Sequence, residues 1–289
     1  MRLTAGRLDS GGGRQLRWRA WHAPQSKVAL AVIHGLGEHS GRYQRLGSTM
    51  AGLGISTYAV DLRGMGESTG QRGHVDSWQD WVQDAALFVQ MVQESVGGLE
   101  VIPLGHSFGG VVLISAVMQG DVQPRRFVLS NPALATRRRV SVLARVLGRV
   151  ASRLWPRLAL SNGVDPKHLS RLPEVVAQFR ADHLVHDRIS ARLFTEWEGA
   201  CRLAMAQAST LNTPYYLIIG GGDQLIDGLQ AQAFEARTPV RHQTRIYPDA
   251  YHEPFNDLGS ELVFEQLGAW LVESGKETSG DGALGGGRR

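Results

Sequence analysis

Cysteine is almost absent from this chain: Cys201 is the only one among 289 residues. Internal disulfides are therefore excluded, and we expect a reducing compartment, the cytoplasm, with peripheral association with a membrane as the alternative. No apolar run approaches the roughly 20 residues that a membrane-spanning helix needs. The first residues, "MRLTAGRLDSGGGRQLRW", also lack the apolar segment of a secretory signal.

Acidic residues are missing from a long internal segment. None occurs between Asp121 and Asp165, whereas arginines recur throughout that segment. The whole chain carries a net charge of +4 and has a pI near 9.5, values compatible with an anionic lipid or nucleic acid partner. The sequence contains neither G-x-G-x-x-G nor G-x-x-x-x-G-K-[ST], so the usual nucleotide-binding loops are excluded.

Short apolar segments alternate with longer segments of helical periodicity, such as "WQDWVQDAALFVQMVQESV" at 78–96. Most of the short segments are apolar at their centres, which is typical of strands covered on both faces by helices. The alternation predicts an α/β fold with a mostly parallel central sheet flanked by helices. The predicted strands lie at 28–34, 55–61, 100–106, 125–131, 214–221 and 241–248.

The alternation is interrupted at 132–206, where helical patterns occur without a convincing strand. This segment of about 75 residues is too long for a simple connection between a strand and a helix. We therefore predict a helical cap, or lid, at 132–206 that is inserted into a core formed by 1–131 and 207–273. The polar, glycine-rich residues 274–289 are predicted to form a disordered tail.

Ser107 lies between two glycines in the sequence Gly105-His106-Ser107-Phe108-Gly109. Between a predicted strand and the apolar helix "VVLISAVM", this G-x-S-x-G pattern is typical of a nucleophile elbow, a sharp turn that exposes the serine. The helix N-terminus also places backbone N–H groups where negative charge develops. An ordinary structural turn is the alternative interpretation.

A serine becomes a good nucleophile only beside a base that is itself oriented by a carboxylate. In hydrolases with this elbow the chain order is serine, acid, histidine. Asp223 directly follows a predicted strand and is the favoured acid, whereas Asp227 is the competitor that could instead cap a helix. His252 follows the last predicted strand and is the favoured base, with an ordinary surface histidine as the alternative. His242 precedes that strand, so we expect it at the opposite end of the sheet.

An acyl-transfer site also needs two backbone N–H donors, the oxyanion hole. One donor is expected from Phe108, the residue after the proposed nucleophile. The loop "AVIHGLGEHSGRY" at 31–43 follows an early strand, and Gly35 lets the chain turn there. We therefore expect the N–H of Leu36 to be the second donor.

The chain resembles α/β-hydrolases of the monoacylglycerol lipase and lysophospholipase group, the serine aminopeptidase S33-like (Hydrolase_4) family. The matching stretches are "HGLGEHSGRY", "GHSFGG", "DLRGMGESTGQRGHVDSW", "HDRISARLF" and "YHE". The resemblance implies a Ser107, Asp223 and His252 triad with Leu36 and Phe108 as oxyanion donors. It also implies hydrolysis of a monoacyl lipid ester through an acyl-enzyme, without a metal or another cofactor.

Other functions remain open beside monoacylglycerol hydrolysis. The same residues would serve a lysophospholipase or a general carboxylesterase. A hydrolase-fold binding protein with very slow turnover is an alternative of a different class. An aminopeptidase would need acidic groups to hold the substrate amine, and the arginine-rich cap argues against one.

The first part of the predicted cap, "TRRRVSVLARVLGRVASRLWPRL", has the pattern of a cationic amphipathic helix. Apolar residues recur at helical spacing on one face: Leu143, Val146, Leu147, Val150 and Leu154. Another face carries Arg145, Arg149 and Arg153. Such a helix either contacts a membrane surface or packs its apolar stripe on the core and leaves the arginines solvated. A nucleic acid partner is not expected.

Overall fold

A computed structural model describes residues 1–138 and 140–273, so the tail predicted at 274–289 lies outside the described residues. The strands are β1 (Arg2–Asp9), β2 (Gln15–His22), β3 (Val28–Ile33), β4 (Ile55–Val60), β5 (Val101–His106), β6 (Phe127–Ser130), β7 (Ala159–Ser161), β8 (Arg188–Ser190), β9 (Tyr215–Gly220) and β10 (His242–Tyr247). The helices are α1 (Gln44–Gly52), α2 (Trp78–Ser95), α3 (Phe108–Gln119), α4 (Val142–Leu154), α5 (Pro173–Ala181), α6 (Ala191–Ala206), α7 (Gly228–Glu235) and α8 (Ser260–Val272).

Eight of these strands form one twisted layer in the order β1-β2-β4-β3-β5-β6-β9-β10. The six strands from β4 to β10 in this order are parallel, and β1 and β2 join the β4 edge in antiparallel fashion. The predicted α/β fold with a mostly parallel sheet is therefore confirmed. Because parallel strands point the same way, the loops after β3, β5, β9 and β10 all lie along the C-terminal ends of the strands. This side of the sheet is called the edge below, and the loops along it are the edge loops.

Helices cover both faces of the sheet and bury two apolar cores. Along β3, Ala29, Ala31 and Ile33 belong to one core, whereas Val28, Leu30 and Val32 belong to the other. This alternation follows from the two-residue period of a strand, and it explains why the strand is apolar at every position. Helices α2 and α3 close the first core, and α1 and α8 close the second.

The N-terminal hairpin of β1 and β2 was not among the predicted strands. Strand β1 alternates exposed and half-buried residues at the edge of the sheet, and it carries arginines at positions that face solvent. An edge strand of this kind lacks the continuous apolar run that marks a central strand. The hairpin turns at Gly11, Gly12 and Gly13, which all have positive φ.

The segment at 132–206 is mainly helical and contains α4, α5 and α6. The prediction that it holds no strand is wrong, because β7 and β8 pair there as a short antiparallel ladder of three residues each. Strands of three residues are too short to leave a periodic pattern in the sequence. The segment lies over the edge loops: the His186 N–H donates to Gly37 O at 2.9 Å, and the Glu253 N–H donates to Leu169 O at 2.9 Å.

Helix α4 packs on α6 through the face that carries Gly148 and Ser152. The Ser152 hydroxyl lies 2.8 Å from that of Thr195, and Arg145 forms an ion pair with Glu198 at 2.8 Å. The apolar stripe lies on the opposite face, where Leu143, Leu147 and Leu154 remain 67%, 58% and 62% exposed. The alternative in which this stripe packs on the core is therefore wrong for α4.

Candidate active site

Ser107 occupies a strained turn between β5 and α3. Its φ of 53° and ψ of −120° are rarely adopted by residues with a side chain, at a cost of about 1–3 kcal/mol. Hydrogen bonds hold the turn: the Ser107 N–H donates to Ser130 O at 2.9 Å, and Ser107 O accepts from Gly110 N at 3.0 Å and Ala133 N at 2.9 Å. The strain is thus compensated by the end of β6 and the start of the segment that follows it.

Glycine is required on both sides of this serine because backbone atoms pass very close. A Cβ at Gly105 would lie 2.6 Å from Gly109 O, and one at Gly109 would lie 2.3 Å from Ile33 O. These distances are shorter than any tolerable van der Waals contact. The G-x-S-x-G spacing is therefore a packing requirement of the turn, and between the glycines His106 ends β5.

The structure brings Ser107, His252 and Asp223 into a hydrogen-bonded row. His252 Nε2 lies 2.9 Å from Ser107 Oγ, and His252 Nδ1 lies 2.7 Å from Asp223 Oδ2. The three side chains come from the loops after β5, β10 and β9, respectively, and all three residues are buried. This is the geometry in which an imidazole can accept a proton from a hydroxyl while a carboxylate orients its other nitrogen.

The two aspartates that competed for this role have different surroundings. Asp223 uses its second oxygen to accept from the N–H groups of Leu225 at 2.8 Å and Ile226 at 3.0 Å, which fixes the carboxylate. Asp227 instead caps α7, accepting from Leu229 N at 3.1 Å. His242, the other histidine considered, begins β10 at the opposite end of the sheet from His252.

The surroundings of Asp223 and His252 stabilise the charged form of each side chain. Burial opposes ionisation of Asp223, but His252 and the two loop N–H groups hold its pKa below the ordinary aspartate value. Burial alone would lower the pKa of His252, yet Asp223, followed by Glu253 and Glu38, raises it above the ordinary histidine value. An imidazolium that forms at His252 is therefore stabilised from several sides.

The loop at 34–39, which we name the Gly35 loop, passes directly beside Ser107. A Cβ at Gly35 would lie 3.2 Å from Ser107 Cβ, so the chain runs this close only because residue 35 has no side chain. Leu36 follows at the same turn, and Phe108 begins α3 on the other side of the serine. The predicted donor residues thus flank Ser107, one in the Gly35 loop and one at a helix N-terminus.

Two further histidines, His106 and His34, are buried at the site. Burial lowers the pKa of His106 to about 4, and neighbouring His252, whose ring centre is 5.0 Å away, acts in the same direction. His34 Nδ1 lies 2.6 Å from Gly35 O, and its Nε2 accepts from Leu62 N at 2.9 Å. Burial also lowers the pKa of His34. The two hydrogen bonds of the ring hold it between the Gly35 loop and the start of the loop after β4.

Asn131 is a polar residue that positions the site and that the sequence analysis did not predict. Asn131, with a φ of 41°, donates from Nδ2 to His252 O at 2.9 Å and accepts from Gly220 N at 2.7 Å through Oδ1. It thereby ties the loop of the histidine to the end of β9. Asn tolerates this left-handed conformation better than most residues, and "SNP" after a strand was the available signal.

Residues 1–138 and 140–273 contain neither a cluster suited to a metal ion nor a helix suited to a membrane span. No group of three or more His, Cys, Asp or Glu side chains in these ranges is arranged to hold a metal ion. No helix within the same ranges is long and apolar enough to cross a bilayer.

Comparison with known proteins places this geometry in context. The family model described as "Serine aminopeptidase, S33" (Hydrolase_4) matches residues 24–259. The chain is 30% identical over 266 residues to the monoacylglycerol lipase of Mycolicibacterium smegmatis, covering 90% of this chain and 94% of that protein. It is also 30% identical over 277 residues to the human monoglyceride lipase, covering 92% and 89%, respectively.

A solved structure agrees with these sequence matches. The crystal structure of the monoacylglycerol lipase from Paleococcus ferrophilus superimposes with a TM-score of 0.78 at 31% identity. The match covers 94% of this chain and 99% of that chain. The similarity therefore includes the segment over the edge loops as well as the sheet.

Proposed function

Because the chain belongs to the serine aminopeptidase S33 family of α/β-hydrolases, we propose that it cleaves monoacyl lipid esters with Ser107 as nucleophile. Its similarity to monoacylglycerol lipases indicates a carboxylic ester hydrolase that acts on lipids. The observation that carries the proposal is the row Ser107 Oγ, His252 and Asp223, with hydrogen-bond distances of 2.9 and 2.7 Å, at a strained elbow. No rearrangement of these three side chains is needed before proton transfer.

In the first half of the reaction His252 Nε2 accepts the Ser107 proton while Oγ attacks the ester carbonyl carbon. The carbonyl oxygen becomes an oxyanion, which the N–H groups of Leu36 and Phe108 stabilise. Asp223 holds Nδ1–H and stabilises the imidazolium without taking its proton. The tetrahedral intermediate then collapses, the alcohol leaves with the proton from His252 Nε2, and the acyl group stays on Ser107.

In the second half a water molecule takes the place of the alcohol. His252 accepts a proton from this water, whose oxygen attacks the acyl carbon, and the same two N–H groups stabilise the second oxyanion. The intermediate releases the carboxylic acid, and Ser107 regains its proton. The side chains of this chain supply every proton transfer in the cycle.

The test is a substrate panel of p-nitrophenyl esters, a monoacylglycerol and lysophosphatidylcholine, with Ser107→Ala as control. We expect the monoacylglycerol to give the highest kcat/KM, and Ser107→Ala to lower it by on the order of 10⁶-fold. Preference for lysophosphatidylcholine or for the shortest esters would replace the substrate class while keeping the mechanism. Tight ligand binding with negligible turnover of every substrate would refute the enzyme and favour a binding protein.

We also propose that the cap at 132–206 contacts an anionic membrane through the exposed stripe of α4. The stripe continues into Trp155, which is 63% exposed, and Arg149 and Arg153 lie beside it on exposed positions. An amphipathic helix with an apolar face and flanking cations is suited to the interface of a bilayer. Arg145 is already paired with Glu198, so it contributes less than the other two arginines.

Vesicle sedimentation with phosphatidylserine-containing liposomes tests this contact. Each basic residue near an anionic surface contributes about 1 kcal/mol, so Arg149→Glu/Arg153→Glu is expected to lower the partition coefficient more than about tenfold. Leu143→Ser/Leu147→Ser/Leu154→Ser should also weaken binding. The control is Leu53→Ser/Leu229→Ser/Leu262→Ser, which changes leucines of 43%, 68% and 49% exposure outside the cap. Equal partitioning of all variants would remove the membrane contact and leave the catalytic proposal intact.

A further inference from the structure

A buried ionic bridge connects the Gly35 loop to the loop that carries His252. It consists of Glu38, Arg42 and Glu253, whose side chains are only 8%, 7% and 6% exposed. Charged side chains are rarely buried to this extent unless each has a partner. None of the three belongs to the hydrogen-bonded row of Ser107, His252 and Asp223, so the catalytic steps leave their burial unexplained.

The first end of the bridge fixes the Gly35 loop. Glu38 Oε1 accepts from the Gly35 N–H at 2.6 Å and from the Tyr43 hydroxyl at 2.9 Å. Leu36, the proposed oxyanion donor, is the next residue after Gly35. Glu38 therefore holds the His34–Gly35 peptide plane, which directly precedes the plane that carries the Leu36 N–H.

The second end of the bridge fixes the loop at 248–257, which we name the His252 loop. Arg42 Nη2 donates to both oxygens of Glu253, at 2.7 and 2.6 Å, and Asn256 Nδ2 donates to Glu253 Oε2 at 3.0 Å. Glu253 is joined to His252 by one peptide bond. Arg42 Nε meanwhile lies 3.3 Å from Glu38 Oε2, so a single guanidinium contacts both carboxylates.

Phe179 of α5 covers the guanidinium: Arg42 Cζ lies 4.6 Å from the centre of that ring. Although burial disfavours the charge, Glu253 and Glu38 raise the pKa of Arg42, so it stays positive. Burial also opposes ionisation of Glu38, but His106 and Arg42 lower its pKa to about 2. The bridge is thus an ionic link in a site from which water is largely excluded.

We propose that Arg42 is a positioning residue that sets the distance between the oxyanion donor on the Gly35 loop and the base on the His252 loop. This inference rests on the proposed function, because it gives the bridge a role in that reaction. A lysine could not replace the guanidinium, since one ammonium nitrogen cannot contact Glu38 and both oxygens of Glu253 in this arrangement. Small displacements of reacting groups are expensive, and about 1 Å costs on the order of 10²-fold in rate.

The bridge also sets the charge around His252, and this gives it a measurable signature. The groups that face His252 are Asp223 from the loop after β9, Glu253 from its own loop, Glu38 from the Gly35 loop and His106 from the end of β5. Arg42 offsets one of the two bridge carboxylates. Because protonated His252 cannot accept the Ser107 proton, kcat/KM falls on the acidic side of its pKa.

The experiment measures two rates over a range of pH for each variant: hydrolysis of a short p-nitrophenyl ester, and covalent labelling of Ser107 by a fluorophosphonate. We expect Arg42→Met to lower both rates by on the order of 10²-fold, with the loss in hydrolysis mainly in kcat. It should also move the acidic limb of the pH–rate profile, where the rate falls as His252 is protonated, to higher pH. Glu253→Gln should move the limb to lower pH. Arg42→Lys keeps the charge, so it should lower the rate and leave the limb in place.

Arg42→Met leaves two buried carboxylates without a counter-charge, so Arg42→Met/Glu253→Gln is studied beside it. The double variant keeps the net charge of the bridge but removes the link, and we expect a lower rate with an unmoved limb. The matched control is Arg126→Met. Arg126 also binds both oxygens of a glutamate, Glu100, and covers an aromatic ring, Trp270, with Cζ 4.7 Å from the ring centre. It lies at the opposite edge of the sheet, so its loss should lower stability and leave both rates unchanged.

Two results would overturn the proposal. The positioning role of Arg42 would be refuted if the folded Arg42 variants kept rates within about threefold of wild type. It would also be refuted if the acidic limbs of the pH–rate profiles of Arg42→Met and Glu253→Gln moved in the same direction. Failure of the wild-type protein to label at Ser107 would instead refute the proposed function, and the role of the bridge with it. Labelling of wild type therefore separates the two failures.

Discussion

The edge of the sheet that carries Ser107 and the outer surface of the proposed cap at 132–206 are built in opposite ways. At the edge, polar side chains such as Asp223 and His252 are only 2% and 6% exposed, whereas on α4 the apolar side chain of Leu143 is 67% exposed. Both arrangements depart from the usual distribution of residues in a globular protein. A buried polar group needs a hydrogen-bond partner, and a continuous exposed apolar stripe is typical of an interaction surface.

The two departures are compensated in different places. At the edge, the compensation is internal, because hydrogen bonds between the loops satisfy the buried groups, as the bonds of Asp223 to His252, Leu225 and Ile226 show. On α4, Gly148 and Ser152 make the contact with α6, so the apolar stripe faces away from the protein. An external apolar phase would compensate for this exposure, which is the basis of the membrane proposal.

The role of the buried polar residues at the edge can be tested by making the same substitution, aspartate to asparagine, at Asp223 and at Asp227. We expect Asp223→Asn to lower kcat by on the order of 10⁴-fold, because an amide no longer holds the Nδ1–H tautomer of His252. Asp227→Asn should leave kcat within about twofold, since asparagine caps a helix as well as aspartate does. Steady-state kinetics on a p-nitrophenyl ester measure both.

Circular dichroism melts of the two aspartate variants provide the control, because neither change should remove the fold. A large loss of activity in Asp227→Asn with a folded protein would contradict the assignment of the acid. So would an Asp223→Asn protein of nearly normal kcat.

Much of the edge was predictable because its signals are local. The elbow glycines are required by contacts within a few residues of Ser107 or with the end of β3, and they appear in the sequence as a short pattern. Asp223 and His252 follow apolar strands, and parallel strands bring their C-terminal ends to one edge. The sequence therefore predicts loops that meet, and the structure places the three side chains in contact.

The remaining features depend on pairs that are distant in sequence. Arg42 and Glu253 are 211 residues apart, and neither belongs to a pattern that indicates the other. The orientation of α4 was also open, because helical periodicity identifies a stripe without specifying whether it packs inward or outward. The small face of Gly148 and Ser152 was the available signal, since small residues let two helices approach closely.

The smallest expected effect is on the free energy of unfolding, which we compare for one glycine at the edge, Gly109, and one in the proposed cap, Gly199. A Cβ at Gly109 would lie 2.3 Å from Ile33 O and 2.4 Å from His34 O, so Gly109→Ala should cost about 1–3 kcal/mol of unfolding free energy or more. Gly199 lies within α6, and a Cβ there would meet no heavy atom within 4 Å among the described residues. Gly199→Ala should therefore stabilise the protein by about 0.5–1 kcal/mol, because alanine favours a helix.

Urea unfolding at constant m-value measures both glycine variants, and their opposite signs are the expected result. A destabilised Gly199→Ala protein would mean that the outer part of the cap is packed as tightly as the edge. A neutral Gly109→Ala protein would mean that the backbone of β3 can move away from the elbow. In that case the Gly35 loop would shift with it, and Gly109→Ala should also slow labelling of Ser107.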